Sequence, residues 1–248
     1  MISSSTIWSS TGRASASLEV HLLGLVDFDS ALFLQERLVY EISGRTDLMG
    51  GLLLCEHPPM ISIGREGSRA HVLADSGELA SRQIEVRWLN RGGGCVVHAP
   101  GQLAVYPIVP LNRLGIGLAA YRSLLEESVS DVCRQLRIQN VRRPDEPGVW
   151  GRRGQIAHLG VSVKSWVAYH GMFVNVSPAL ELMRLAQANS RGEAVTSLAA
   201  ERARVTSMSS VRTCLVESLT SRLGYQRHHV YAGHPLLRRS KKKVYVNA

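Results

Sequence analysis

Apolar and polar positions alternate along this chain with two different periods, which predict strands and helices in an irregular order. Leu18, Val20 and Leu22 alternate with polar neighbours, which is the period of two expected of a half-buried strand. From Asp29, the predicted N-cap, apolar residues recur at helical spacing until Gly44. The pattern therefore predicts that a strand is followed by a helix.

Short apolar runs and further helical stripes follow along the rest of the chain. Further strands are predicted at 52–55, 60–63, 86–89, 103–109, 155–163 and 166–176, and further helices at 118–136 and 211–223. The strands and helices do not alternate strictly, as they would in a doubly wound fold. The predicted fold class is therefore α+β, with a mixed β-sheet flanked by helices.

The length of the chain and its apolar content predict one globular domain. The chain has 248 residues, of which 45% are hydrophobic, enough for one substantial core. We predict the domain at 18–231, a flexible leader at 1–17 and a basic tail at 232–248. The Ser-rich leader lacks an apolar segment and is not a secretory signal; an organellar transit peptide is the alternative.

Apolar run lengths and cysteine spacing predict the compartment. No apolar run approaches the ~20 residues that cross a bilayer. Four cysteines, Cys55, Cys95, Cys133 and Cys214, show no C-x-x-C spacing and predict reduced thiols. The expectation is a cytoplasmic protein without a membrane segment.

The net charge of +9 raises the question of nucleic-acid binding. Five of the nine charges lie in the tail, at Arg238, Arg239, Lys241, Lys242 and Lys243. Aromatic residues make up only 6% of the chain, and no nucleic-acid recognition motif is present. We therefore predict no nucleic-acid partner.

The segment from Arg91 to Gln102 contains three successive glycines, Gly92, Gly93 and Gly94. Glycines allow a backbone to approach a ligand closely, and exposed amides can cradle a carbonyl, carboxylate or phosphate. No Gly-x-Gly-x-x-Gly or Gly-Lys-Ser/Thr motif accompanies them, which excludes the usual dinucleotide and P-loop signatures.

A series of spaced blocks surrounds this segment. It comprises Leu25-Val26-Asp27-Phe28, Gln35-Glu36, Glu56-His57-Pro58-Pro59, Gly64-Arg65, Arg91-Gly92-Gly93, His98, Pro100-Gly101-Gln102, Tyr106-Pro107, Gly148-Val149-Trp150, Leu159-Gly160-Val161, Tyr169-His170-Gly171, Asn175-Val176 and Val195-Thr196-Ser197-Leu198. From about residue 18 to 225, the series resembles the lipoyl(octanoyl) transferase family, which is of the lipoate-protein ligase B type.

This resemblance implies a fold shared with lipoate ligases and the class II synthetase-like catalytic domain of biotin protein ligases. It implies octanoyl transfer from acyl carrier protein to a lysine of a lipoyl-domain protein. We also expect a monomer without a cofactor or metal. The implied binding residues are Arg91, Gly92, Gly93, Gly94, Cys95, Val96, Val97, His98, His158, Leu159, Gly160, His170, Gly171 and Met172.

The catalytic pair of the resembled family is missing. The family uses a cysteine thioester and a lysine that lowers the pKa of the thiol, and these positions are Ala188 and Gln155 here. No cysteine lies anywhere between Asn175 and Val195, so no choice of gaps restores one. Lys164, the sole lysine of the predicted domain, is nine residues beyond Gln155 and falls on the opposite strand face.

Two residues are candidate substitute nucleophiles. Cys95 lies inside the glycine-rich segment, and Ser190 lies in the segment that carries Ala188, although a serine needs an adjacent base. The histidines are not spaced as metal ligands, so we predict no metal site. His57 is expected to pack in its Pro-rich turn, whereas His158 replaces a small or apolar residue and could shorten the pocket.

Three functions remain open from the sequence. The first is an octanoyltransferase-like enzyme of protein lipoylation. The second is a non-catalytic protein that binds an acyl or lipoyl group, a lipoyl domain or a carrier protein. The third is lipoate or biotin ligation through an acyl-adenylate, with Arg152 or Arg153 in place of the missing lysine.

Overall fold

The computed structural model describes residues 16–237. Its ten strands, in chain order, are β1 Ser17–Leu25, β2 Gly50–Glu56, β3 Met60–Ile63, β4 Glu85–Trp88, β5 Cys95–His98, β6 Gln102–Pro110, β7 Gly148–Trp150, β8 Gln155–Lys164, β9 Val167–Asn175 and β10 Arg227–Ala232. Most of the predicted leader, and the tail from residue 238, lie outside the described residues.

Seven α-helices connect these strands within the described range. They are α1 Phe28–Ser43, α2 Ser76–Ser81, α3 Leu111–Leu114, α4 Leu118–Gln135, α5 Leu180–Met183, α6 Leu198–Arg202 and α7 Met208–Arg222, with one 3-10 turn at Arg69–His71. None of the helices in residues 16–237 is long and apolar enough to cross a membrane.

The strands form two sheets. The larger has seven strands in the order β10-β1-β2-β6-β9-β8-β7, parallel among the first three and antiparallel at the other pairings. The smaller has the order β4-β3-β5, with β3 parallel to β4 and antiparallel to β5. The predicted mixed sheet flanked by helices is confirmed, and the second sheet was not predicted.

Both faces of the larger sheet are buried, because successive side chains on a strand point to opposite faces. On β2, Leu52 and Leu54 belong to the core cluster that contains residues of α4 and α7, whereas Leu53 and Cys55 belong to the cluster that contains residues of α1. A third cluster includes Ile61 of the smaller sheet. The glycine-rich segment leads into the smaller sheet and so lies where the two sheets meet.

The N-cap of α1 is Asp27, and the prediction of Asp29 is wrong. Asp27 has extended backbone angles, and its side chain accepts a hydrogen bond from the Ser30 amide at 2.8 Å. Asp29 instead lies in the first turn and forms a surface ion pair with Arg87. The helix ends at Gly44, as predicted.

We expect Asp27→Ala to lower the free energy of unfolding by about 1 kcal/mol, because it removes an N-cap hydrogen bond. Asp29→Ala is the matched control and should cost less, since an exposed ion pair contributes about 0–1 kcal/mol. Urea unfolding of the two variants measures the difference. Equal losses would contradict the assignment of Asp27 as the cap.

Candidate functional site

The glycine-rich segment is held between the end of β3 and the strand β8. Gly64, after β3, donates its amide to Gly94 O at 3.0 Å, and Arg65 donates to Arg91 O at 2.9 Å. On the other side, Gly92 donates to Val161 O of β8 at 2.9 Å. The segment thus connects the smaller sheet to the larger one.

Arg91 is fully buried at this junction. Its Nη2 donates to Ser62 Oγ at 2.7 Å and to Ser62 O at 3.0 Å, and its Nη1 donates to Gly92 O at 3.0 Å. The guanidinium lies 5.7 Å from the ring centroid of Phe173. Among the described residues no carboxylate pairs with Arg91, and burial lowers its pKa to about 10, so it stays charged at neutral pH.

Two glycines outside the triple-glycine run make room for this arrangement. A Cβ at Gly64 would lie 2.3 Å from Gly93 O. A Cβ at Gly160 would lie 2.5 Å from Gly92 O and 3.0 Å from Nη1 of Arg91. Glycine is therefore required at both positions by close backbone approach.

A cavity of about 260 Å³ opens beside Arg91, and we call it the polar cavity. It is lined by Glu66, His71, Arg91, Gly93, Gly94, Val96, Asp145, Glu146, Pro147, Gln155, His158, Leu159, Gln187, Ala188, Asn189 and Ser190. Gln155 and Ala188, at which the sequence resemblance predicts the positions of the catalytic pair, both line this cavity. Neither a cysteine nor a lysine is among the residues that line this cavity.

A second space of about 530 Å³ lies between β8 and the first turn of α4, and we call it the apolar groove. It is lined by Arg65, Glu66, Gly92, Gly93, Leu118, Tyr121, Arg122, Pro147, Leu159, Gly160, Val161, Ser162 and Val163. Its lining shares Glu66, Gly93, Pro147 and Leu159 with the polar cavity.

Gln155 is fixed by its neighbours as an uncharged group. Its Oε1 accepts a hydrogen bond from Asn189 Nδ2 at 3.2 Å, and its Nε2 donates to Ala157 O at 3.3 Å. Its backbone pairs with the segment before α6, because Thr196 donates to Gln155 O at 3.0 Å. The amide dipole of Gln155 cannot replace the positive charge of a lysine.

The segment that carries Ala188 and Ser190 is held by paired charges. Arg191 pairs with Asp145 at 2.5 Å, and Glu193 pairs with Arg143 at 2.6 Å. The amide of Ser190 donates to Glu146 Oε1 at 2.7 Å. The Ser190 hydroxyl lines the polar cavity but makes no hydrogen bond to any described residue, so no general base is in place for it.

The predicted binding residues divide into three sets. Those that line the polar cavity are Arg91, Gly93, Gly94, Val96, His158 and Leu159. Those that line the apolar groove are Gly92, Gly93, Leu159 and Gly160. Those that line neither space are Cys95, Val97, His98, His170, Gly171 and Met172.

Cys95 faces away from the polar cavity. It is fully buried and belongs with Val97 to the third core cluster, whereas Val96 between them lines the cavity. Its Sγ lies 3.5 Å from Ser68 O, and burial raises the pKa of the thiol. Strand alternation on β5 therefore directs this thiol away from the position that a substitute nucleophile requires.

His98 and His170 are enclosed in the core. His98 contacts Ser62 Oγ at 2.7 Å and Gln102 Oε1 at 3.1 Å, and its ring lies 4.5 Å from that of Phe173. His170 has a left-handed φ of 56° and stacks on Tyr169 at 4.9 Å. Burial lowers the pKa of His170 to about 3 and that of His98 well below its usual value.

His158 and His57 occupy different environments. His57 is enclosed beside its Pro-rich turn, where it contacts Val26 O and the Tyr106 hydroxyl, both at 2.7 Å. His158 is 4% exposed, lines the polar cavity, and its ring makes no hydrogen bond to any described residue. Burial lowers its pKa to about 3, so the imidazole is neutral.

The comparisons with known proteins agree with this architecture. The lipoyl protein ligase A/B catalytic domain family matches residues 27–220. The chain belongs to this family. The octanoyltransferase of Geotalea uraniireducens is 41% identical over 180 residues, which cover 72% of this chain and 80% of that one. The octanoyltransferase of Chloroflexus aggregans is 38% identical over 208 residues, covering 82% and 93%.

Solved lipoate ligases share the fold of this family member. The bi-partite lipoate protein ligase of Thermoplasma acidophilum superposes with a TM-score of 0.69 at 15% identity, covering 88% of this chain and 86% of that one. A lipoate-protein ligase A bound with ATP gives 0.70 at 16% identity, covering 87% and 90%. At the level of the family, the chain is octanoyltransferase-like.

Several cavity residues were not found from the sequence. Glu66, His71, Asp145, Glu146, Gln187 and Asn189 line the polar cavity. Gln187 and Asn189 flank Ala188, so their place next to the position where the resemblance implies a cysteine was the available signal. Arg152 and Arg153 do not line the cavity: they are exposed, and their backbone amides donate to Glu201. In residues 16–237, no three potential ligands converge on a possible metal site.

We expect Gly160→Ala to lower the free energy of unfolding by about 1–3 kcal/mol, as overpacking of a close contact does. The new methyl group would collide with Gly92 O and the Arg91 guanidinium. Gly44→Ala is the matched control, because the nearest atom to its Cβ is 3.8 Å away. Denaturant unfolding that gave equal losses would contradict the packing of Arg91 against Gly160.

The buried histidines predict loss of stability in acid. Burial lowers the pKa of His57 to about 4 and of His158 to about 3, whereas an unfolded histidine titrates near pH ~6.5. Below that pH the unfolded chain binds more protons than the folded chain does. The free energy of unfolding is therefore unaffected by these histidines above pH ~6.5, and it decreases as the pH falls from there through 4. The decrease in the free energy of unfolding approaches about 1.4 kcal/mol per pH unit for each histidine.

His158→Ala should therefore reduce the dependence of unfolding free energy on pH by one proton between pH ~6.5 and 4. The exposed His229→Ala is the matched control. Urea unfolding at several pH values measures both slopes. An unchanged slope for His158→Ala would show that this imidazole is accessible to protons in the folded state.

Proposed function

We propose that this member of the family binds an acyl or lipoyl group and does not transfer it through a cysteine thioester. The observation that carries the proposal is that Gln155 and Ala188, the positions at which the family resemblance implies a lysine and a cysteine, both line the polar cavity. A thioester cannot form on alanine. The amide side chain of Gln155 is uncharged, so it also cannot lower the pKa of a neighbouring thiol as a lysine would.

The four cysteines support this proposal, because the thiolate is the nucleophile and none of them favours it. Burial raises the pKa of Cys55, of Cys95 and of Cys214, and it raises that of Cys133 to about 12. All four are free thiols, and Cys133 and Cys214 pack in or against the core cluster that contains residues of α4 and α7.

The retained architecture supports binding. Arg91 and the backbone of Gly93 and Gly94 line the cavity beside His158, whose neutral ring is free to hydrogen-bond a ligand carbonyl. The family implies acyl carrier protein and lipoyl-domain proteins as partners, and the Thermoplasma acidophilum ligase was studied together with its E2 lipoyl domain. The acyl group is therefore expected to arrive attached to one of these proteins.

We further propose that the protein is a cytoplasmic monomer. Four free thiols are typical of a reducing compartment. Light scattering of the full chain tests the monomer, and a mass of two or more chains would contradict it.

Restoring the missing pair should restore the chemistry. With octanoyl carrier protein, we expect no octanoyl adduct on the wild-type chain and a stable adduct on Ala188→Cys combined with Gln155→Lys. Lysine beside the new thiol favours the thiolate at neutral pH, whereas a thiol with an ordinary pKa of ~8.5 stays mostly protonated. Intact-mass spectrometry detects the adduct.

Ala188→Cys alone is the matched control and should need a more alkaline pH for the same labelling. Ala188→Ser should stay unlabelled. The proposal fails if the wild-type chain acylates a lipoyl-domain acceptor above the rate without enzyme. It also fails if the chain does not bind a peptide that carries Nε-octanoyl-lysine at micromolar concentration.

A further inference from the structure

The polar cavity carries more negative charge than an acyl group requires. Glu66, Asp145 and Glu146 line it, whereas Arg91 is the only arginine or lysine in that lining. An acyl group is neutral, and its carbonyl oxygen is a hydrogen-bond acceptor that gains nothing from a neighbouring carboxylate. The proposed acyl-binding function therefore leaves these carboxylates without a role.

The three carboxylates differ in the partners that they already have. Asp145 is exposed and pairs with Arg191 at 2.5 Å. Glu66 is exposed as well, and its Oε1 accepts a hydrogen bond from the Gly93 amide at 3.1 Å. Glu146 is half-buried, and no arginine, lysine or histidine among the described residues forms an ion pair with it. Its carboxylate is therefore the one whose charge is least compensated.

Glu146 has one oxygen in use and one that is free. Its Oε1 accepts a hydrogen bond from the Ser190 amide at 2.7 Å. Its Oε2 is buried and has no hydrogen-bond partner among the described residues. Arg143, three residues earlier in the chain, pairs with Glu193 instead, at 2.6 Å. Because a buried acceptor without a partner costs free energy, Oε2 is suited to a donor that a ligand brings.

His158 is a second unpartnered group in the same cavity, next to the segment that carries Glu146. β7 begins two residues after Glu146, at Gly148, and Gly148 pairs with His158 in the sheet. His158 is 4% exposed and lines the cavity, and its ring makes no hydrogen bond to any described residue. A neutral imidazole has one donor and one acceptor nitrogen. The cavity thus offers a ligand two acceptors from neighbouring strands.

Burial distinguishes an inner end of the cavity from its mouth. Arg91 and His158 are buried at the inner end, whereas Glu66 and Asp145 are exposed and Glu146 is half-buried. A cation that enters from solvent therefore meets the carboxylates first. The charge of Arg91 opposes its movement further inward, since like charges repel.

We propose that Glu146 receives a primary ammonium group, the Nε of an acceptor lysine that has not been acylated. Such a group brings a positive charge and three hydrogen-bond donors, and its bond to a carboxylate is charge-assisted. This inference rests on the proposed function, in which lipoyl-domain proteins are partners. It adds that the cavity distinguishes a free lysine from a neutral side chain, with Glu146 as the residue that determines this specificity.

The test measures binding of a lipoyl domain in two forms, one with its acceptor lysine free and one with that lysine replaced by glutamine. The wild-type chain should bind the lysine form about ten- to a hundredfold more tightly, the effect of one charge-assisted hydrogen bond. Glu146→Gln should lose most of this preference and bind the glutamine form as the wild-type chain does. The new side chain keeps an oxygen for the Ser190 amide, and thermal unfolding checks that the variant is folded.

Two controls locate the effect. Glu217→Gln removes the same charge from an exposed residue of α7 that does not line the cavity, and it should keep the full preference. A lipoyl domain whose lysine carries an octanoyl group has no ammonium, so Glu146→Gln should bind it as tightly as the wild-type chain.

The outcomes separate this inference from the proposed function. The inference is wrong if the wild-type chain binds neither form of the domain, or binds both equally. It is also wrong if Glu146→Gln keeps the preference for lysine, in which case water satisfies Oε2. The acyl-binding function fails independently, if the wild-type chain does not bind the Nε-octanoyl-lysine peptide.

Discussion

The burial of the Arg91 guanidinium determines how the two sheets meet. Its Nη2 donates to Ser62 of the smaller sheet and its Nη1 to Gly92 O of its own loop, whereas its buried Nε has no partner among the described residues. The guanidinium packs within reach of Gly160 in the larger sheet. An unpaired buried charge is costly, so such a group persists only when surrounding dipoles are fixed around it. The glycines at 64 and 160 are a consequence of this constraint, since any side chain there would displace the loop or the guanidinium.

Much of the fold followed from the sequence because its signals are local. The apolar segments 155–163 and 166–176 predicted β8 and β9, and the apolar stripe through Leu215 and Leu219 predicted α7. The absence of a cysteine between Asn175 and Val195 was also readable from the sequence. The structure adds that Gln155 and Ala188 line one cavity.

Other features depend on long-range contacts and had no local signal. β7 has three residues and β10 is exposed along most of its length, so neither gives a clear period. The sequence pattern predicted Asp29 as the N-cap of α1, whereas the extended backbone of Asp27 makes that residue the cap. On β5, side chains alternate between the two faces, so that Val96 lines the polar cavity and Cys95 lies in the core. The sequence does not show which of the two faces packs against the third core cluster.

The replacement of the catalytic pair is integrated into its surroundings. Asn189 donates to Gln155 and also to Glu193 O at 3.0 Å, and its Oδ1 accepts from the Glu193 amide at 2.8 Å. Glu193 in turn pairs with Arg143, whose guanidinium lies 4.5 Å from the ring centroid of Trp150. An uncharged glutamine completes this network without adding a second buried cation near Arg91. Gln155 is therefore an integral member of the hydrogen-bond network that joins β8 to the segment carrying Ala188.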